Sequence, residues 1–433
     1  MELSTQPLKG FADWLPEEFK IRKYIFDTYR RVCARFGYQE YLTPMLEDAE
    51  IYRAKSGDEV GGKELYMVRD RAGRELAIRP EMTPSVTRLV ASIYQATPKP
   101  IKLFSIANFL RNQKPQRGRN REFWQLNYDI FGSESINSDV EIIQIALEVM
   151  LAFAPPEGSF TIYINNRKLI DEILMKRADV RENSRVEVVR LLDKAEKIGQ
   201  DELKKQLQKI GINQDTVQAL LKFAQSKDKK TLAGNFSDIE QTEGFKETVK
   251  IMGSLQNMGY GDWIEFNPSV IRGFDYYDGM VFEVFDNNPK NNRSLFGGGR
   301  YNGLAGIFGS DPFPAVGCAP GDETMRLFLE AWDLIPENLE SPTVYVTVFD
   351  EEAREYSQKV ADEFRSLGIN ASVSFDSDKL GSQIGFADRM GYRYVIIAGP
   401  DEIEKGKVQL KDLISGKEVD MSVEKAGEIV ASS

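Results

Sequence analysis

Residues 101–132 read IKLFSIANFLRNQKPQRGRNREFWQLNYDIFG. The flanks, IKLFSIANFLR and EFWQLNYDIFG, are rich in β-branched and aromatic side chains, which predicts two strands. Between them, Asn112 to Arg121 holds Lys114, Arg117, Arg119 and Arg121 and no acid. Arg111 ends the first strand, so its guanidinium can be aimed into a pocket while the basic loop holds a polyanion. Phosphate is the natural partner of such an arrangement. Taken alone, a basic loop is also what a solvated hairpin tip looks like.

Working outward, residues 17–36 place Ile21, Ile25, Tyr29, Val32 and Phe36 on one helical face that stops at Gly37. YQEYLTPML then reads as extended, with Pro44 confining it to a sheet edge or to a place where its missing N–H costs nothing. ELYMVRD and RELAIRP predict a hairpin turning at Arg71 to Gly73. A helix is expected from Ser138, where Ser138 and Glu141 have capping-box spacing ahead of Ile142, Ile145, Ala146 and Val149. TIYINN, VIRGFDYYDGMVFEVFD and RSLFGGGRYNGL add strands without regular βαβ alternation. The fold class expected is α+β, a mostly antiparallel sheet flanked by helices.

A charged helical stretch at about 170–255 interrupts those strands, with Leu203, Leu207 and Ile210, then Val217, Leu220 and Leu221, at helical spacing. It reads as an inserted module within a first domain of residues 1–335. Pro336 and Pro342 bound a linker at 336–342. From 343 to 433, VYVTVF, a helix, ASVSF, a second helix and YVIIAG predict a separate α/β unit.

Composition limits the chemistry. The chain has 433 residues, 42% of them hydrophobic, which is enough for more than one core. A net charge of −11 argues against indiscriminate nucleic-acid binding, so any RNA contact must be local. Histidine is absent, which removes Ser-His and Cys-His nucleophiles, histidine metal ligands and imidazole acid–base catalysis. The two cysteines, Cys33 and Cys318, lack ligand-like spacing and read as buried thiols. No secretory signal pattern and no long apolar run is present, so a cytoplasmic location without membrane partners is expected.

Three further stretches hold candidate site residues. Arg272 lies among apolar and aromatic neighbours in VIRGFDYY and needs an anionic partner, either a structural carboxylate or a ligand. RPEMT places Glu81 and Thr83 two residues apart at the end of a strand, so both can face one side and receive an ammonium group, or the segment is only a surface turn. GGGRYNG, residues 297–303, permits close backbone approach to a ligand or a tight strand crossing. It lacks the strand–turn–helix context of a phosphate-binding loop.

The order of these segments resembles the histidyl-tRNA synthetases, a family of class II aminoacyl-tRNA synthetases. The resemblance runs from LKGFADWLPEE and the motif 1-like proline Pro44 through LAIRPEMT, FLRNQKPQRGRNREFWQLNYDIFG, INNRKL, RGFDYYDGMVFEVFD, GGGRYNGL and AVGCAPGD. It continues into a C-terminal anticodon-binding domain with GFADRMGYRYVIIAG and KVQLKDL. RGFDYY followed by GGRYNGL is its most specific part.

The resemblance implies ATP-dependent activation of L-histidine and transfer to tRNA(His) by a homodimer, with Mg²⁺ bridging the ATP phosphates through few protein ligands. It implies that Glu81, Thr83 and Gln125 hold the α-amino group, that Asp129 and Tyr277 bind the imidazole, and that Tyr276 and Tyr301 line the pocket. Arg111 would clamp the α-phosphate, Arg272 would touch that phosphate and the substrate carboxylate, and Arg119 would sit near the triphosphate. Lys114, Gln116 and Arg117 would meet the tRNA acceptor end.

Two positions depart from the pattern. Asp129 stands where many relatives have glutamate. In GDETMR, Thr324 occupies the usual motif 3 arginine position, and Arg326, two residues on, is the substitute ATP contact expected. A non-catalytic relative, the regulatory subunit of ATP phosphoribosyltransferase, binds histidine without activating it. It typically lacks the anticodon-binding domain and the catalytic arginines.

Overall fold

The computed structural model describes residues 3–432 except 55–58, 227, 272–275, 292, 338 and 340–342. The chain divides into two compact units, Met1–Ile335 and Pro336–Ser433.

In the first unit the described strands are β1 (Gln39–Glu40), β2 (Leu46–Asp48), β3 (Tyr66–Arg69), β4 (Glu75–Ile78), β5 (Ile101–Leu110), β6 (Glu122–Phe131), β7 (Phe160–Asn166), β8 (Ile264–Phe266), β9 (Met280–Asp286), β10 (Arg293–Arg300) and β11 (Ala315–Cys318). Among the described residues, eight of them form one sheet in the order β1-β5-β6-β11-β10-β9-β7-β8. Its pairings are antiparallel apart from β1 with β5 and β7 with β8. β2, β4 and β3 make a small second sheet, with the β3–β4 turn at Gly73, φ +80°.

The period-two alternation of β5 and β6 decides where the core and the cleft lie. Phe104, Ile106, Leu126, Tyr128 and Ile130 pack with the helices Pro16–Arg35, Ile136–Leu151 and Glu243–Asn257 in one cluster. Each large side chain buried in this way contributes about 1.5–3 kcal/mol. The intervening residues Phe123, Gln125, Asn127 and Asp129 face the other side and line a cleft. Beside it, Met82, Val86, Phe109, Tyr276, Tyr277 and Tyr301 form a second cluster.

Three local expectations are corrected. The helix expected from Ser138 starts at Ile136, because Ser135 is the cap and its hydroxyl accepts from Asn137 N at 3.2 Å. Ser138 lies inside that helix and donates instead to Ser133 Oγ. Strand across VIRGFDYYDGMVFEVFD is present from Met280 to Asp286, and Tyr276–Gly279 is turn and coil. Residues 272–275 of that stretch lie outside the described residues. Pro44 separates β1 from β2 and belongs to neither.

The second unit pairs β13 (Asn370–Val373), β12 (Thr343–Val346), β14 (Tyr394–Ile397), β15 (Val408–Asp412) and β16 (Glu418–Met421) in that order. The first three are parallel, as the strand–helix alternation requires, and the last two turn back as antiparallel strands. Val344, Val346, Phe364, Ile396 and Val430 form its own core.

Candidate active site

The cleft has a volume of about 1140 Å³ and draws its walls from β6, the loop 112–121, β10, β11, the start of the helix Thr83–Ile93 and the pair Tyr276 and Tyr277. It gathers Glu81, Thr83, Arg111, Gln116, Arg117, Arg119, Gln125, Asp129, Tyr276, Tyr277 and Tyr301, all expected site residues. Lys114 is exposed and does not line it. Arg272 lies outside the described residues.

At the deep end Asp129 is 3% exposed. Its Oδ1 accepts from the Tyr301 hydroxyl at 2.5 Å, and Oδ2 is buried without a hydrogen-bond partner among the described residues. Burial pushes this carboxyl up to about 7, against the opposing pull of the Tyr301 hydrogen bond. A buried acceptor left open in this way is a place for a ligand N–H. Gln125 Oε1 and Asn127 Oδ1, on the same strand face, are likewise buried and open.

The Tyr276 hydroxyl donates to Glu81 Oε2 at 3.0 Å, which fixes the buried carboxylate beside Thr83. Below them, Arg79 donates from Nε to Asn108 O and from Nη1 to Thr43 O, 2.9 Å each, and holds RPEMT against β5. The glycines of β10 make room for protein. A Cβ at Gly299 would lie 2.8 Å from the Tyr277 ring, and one at Gly298 would lie 2.2 Å from Gly317 O. Gly317 serves Asp129, whose Oδ1 would be 1.8 Å from a Cβ there.

The other end is cationic. Arg111 Nε donates to Pro80 O at 3.0 Å, with the guanidinium 5.1 Å from the Phe123 ring. Burial lowers its pKa from the usual arginine range, against the pull of Glu81 and Glu64. The tip of the loop is a tight turn in which Gln116 and Arg119 exchange backbone hydrogen bonds, with Gly118 at φ +74°.

Arg326 is not part of this cleft. Thr324 faces it, and two residues turn a helical side chain by roughly 200°. Arg326 therefore points away, binds Glu323 at 2.7 Å and Glu330, and lines a separate 320 Å³ cavity with Trp14 and Asn120.

Sequence reading missed Asn127, Glu283, Arg293 and, from the helix Glu182–Asp193 and the residue after it, Val189, Arg190 and Lys194. Asn127 was accessible from the alternation Phe123, Gln125, Asn127, Asp129. The others depend on tertiary contacts that no local pattern encodes.

A family model described as histidyl-tRNA synthetase matches residues 10–322, and one described as anticodon binding domain matches residues 343–433. A histidine–tRNA ligase of Leptospira biflexa is 39% identical over 430 residues, 98% of this chain and 97% of that protein. One from Pyrococcus abyssi is 34% identical over 422 residues, 96% of each. The crystal structure of histidyl-tRNA synthetase from Nostoc sp. PCC 7120 superposes with a TM-score of 0.83 at 25% identity, covering 100% of both chains.

Proposed function

The chain belongs to the histidyl-tRNA synthetase family, and from that premise we propose that its cleft joins L-histidine to ATP as histidyl-adenylate and then charges tRNA(His). The carrying observation is the division of one cleft into a carboxylate end, with Glu81 and Asp129, and a guanidinium end, with Arg111, Arg117 and Arg119. An amino acid that bears both an ammonium and an imidazole fits the first end, and a polyphosphate fits the second. The match of residues 343–433 to an anticodon-binding domain favours a charging enzyme over a histidine-binding regulatory subunit.

In this reading Glu81, Thr83 and Gln125 receive the α-amino group, and Asp129 and Tyr277 receive the two ring nitrogens. Tyr301 orients Asp129, and Tyr276 orients Glu81. A site built around such buried partners rejects isosteres that lack the ring nitrogens by roughly 10⁴-fold, because the partners are then left open.

The histidine carboxylate attacks the α-phosphorus, and pyrophosphate leaves with the bonding pair. Arg111 and Arg272 stabilise the charge that builds on the phosphoryl oxygens. The terminal ribose hydroxyl of tRNA then attacks the adenylate carbonyl and AMP leaves. Arg119 serves the triphosphate, while Lys114, Gln116 and Arg117 on the exposed loop meet the acceptor end.

Mg²⁺ would neutralise the phosphates while keeping most of its water. Glu283, a carboxylate lining the cationic end, suits it, and no cluster of three or more acidic or cysteine ligands occurs among the described residues. Leu42, Met45 and Leu46 are exposed around Pro44, which supports a homodimer through this segment. No described helix is long and apolar enough to cross a membrane.

The test is ATP–pyrophosphate exchange with purified protein and Mg²⁺. Exchange should depend on histidine, and exchange no faster with histidine than with other amino acids would defeat the proposal.

A further inference from the structure

Arg293 opens β10 and lines the cationic end of the cleft, and nothing above gives it a task. Its Nη1 donates to the carbonyl of Arg117 at 2.8 Å. Gly118 lies so close that a Cβ there would be 2.0 Å from the same nitrogen. The tip of the loop 112–121 therefore rests on this guanidinium. The loop leaves β5, and β10 lies three strand positions away in the sheet, roughly 14 Å. The contact bridges the mouth of the cleft from one wall to the other.

A carbonyl satisfies one donor and neutralises no charge. Arg22, Arg300 and Arg326 each face a carboxylate, at 2.5, 2.7 and 2.7 Å. Among the described residues, Arg293, Arg117 and Arg119 have no ion-pair partner. Guanidiniums without ion-pair partners gathered in one cleft repel one another, and an anionic ligand that enters gains from all of them. On the β10 wall, Thr324 contributes only a hydroxyl, which donates to Leu295 O at 2.9 Å. Arg293 brings that wall a charge.

We propose that Arg293 is a nucleotide-binding residue of this chain, presenting its remaining N–H donors to the terminal phosphates of ATP while its Nη1 holds the loop tip. This rests on the ATP-dependent reading of the cleft. The α-phosphate lies with Arg111 at the end of β5, and Arg293 takes the charge that departs as pyrophosphate.

Calorimetric binding of Mg·ATP, pyrophosphate and AMP to the full chain separates the alternatives. Arg293→Gln keeps an N–H donor, on a side chain two bonds shorter, and removes the charge. It should weaken ATP and pyrophosphate roughly ten- to a hundredfold, the effect of losing a charge-assisted hydrogen bond, and leave AMP within about twofold. Arg293→Lys should recover part of the loss, and neither variant should lower the melting temperature. ATP binding unchanged in Arg293→Gln would make Arg293 a loop latch alone and overturn the proposal, as would equal weakening of ATP and AMP. Wild-type protein that binds ATP through Arg293 but shows no histidine-dependent exchange would instead overturn the adenylation reading and leave this one standing.

Discussion

Asp129 is a carboxyl placed where water does not reach, and its titration turns that placement into a measurable property. Its folded value of about 7 lies well above the 3.8 of an unperturbed aspartate. Between those values the native chain holds a proton that the unfolded chain has released. The contribution of this group to stability is therefore greatest in acid and is lost as pH rises through about 7. Asp129→Asn cannot ionise. Relative to wild type it should gain stability from pH 5 to pH 8 by about 2–3 kcal/mol, read from urea midpoints at the two pH values. The same substitution should impair histidine activation, because the open Oδ2 acceptor is replaced by an amide that must choose between donor and acceptor. A midpoint difference that stays constant with pH would show that Asp129 is not desolvated in the free protein. The identity of this residue was legible from its place in LNYDIFG. Its tuning was not, since that depends on Tyr301, 172 positions away in sequence, and on the room that Gly317 leaves.

Between elements, the cleft depends on how β10 is held. Arg300 ends β10 and donates from Nε and Nη2 to both oxygens of Asp139 on the helix Ile136–Leu151, at 2.9 and 2.7 Å. Both side chains are buried, and burial pushes Asp139 up while Arg300 pulls it down. Asp139→Ala leaves a buried guanidinium uncompensated and should cost about 3–5 kcal/mol. The double change Asp139→Leu with Arg300→Met removes both charges and should recover most of that loss in chemical denaturation. Additive losses would mean that the pair is not coupled.

The glycines nearby separate in the same way. Gly298→Ala places a Cβ against the backbone of β11 and should cost about 1–3 kcal/mol. Gly303→Ala, in the same tract but with nothing within 4 Å among the described residues, should change stability by less than about 0.5 kcal/mol. Equal effects would deny a role for close strand approach. These elements also mark the limit of sequence reading. The strands around residues 101–132 were legible because alternation and β-propensity agree there. The start of the helix Ile136–Leu151 was misplaced because SESINS offers several capping serines. The glycine tract was ambiguous because local sequence cannot say whether a neighbour is a strand or a ligand, and here the neighbours are β11 and Tyr277.

Across the whole molecule, the charge of −11 and the cationic cleft are compatible because acids are spread over both units, while Arg117, Arg119 and Arg293, without ion-pair partners among the described residues, line one cavity. The absence of histidine has a parallel consequence. No imidazole of the protein titrates between pH 5 and 8, so in the complex with L-histidine every imidazole proton signal belongs to the ligand. The bound ring can then be titrated by proton NMR with no protein imidazole signal that shifts beside it. If Asp129 accepts from the ring, its carboxylate favours the imidazolium form, and the bound histidine should titrate above the free value of about 6.5. In Asp129→Asn that attraction is gone and burial alone acts, which disfavours the charged ring. The bound imidazole should then titrate about one unit or more below its wild-type position, toward or under the free value. Ring and carboxyl share protons in the wild type, so two overlapping steps belonging to the pair are expected there, and one in the variant. Coincident titrations in the two proteins would place the ring away from Asp129 and leave Tyr277 as its polar partner.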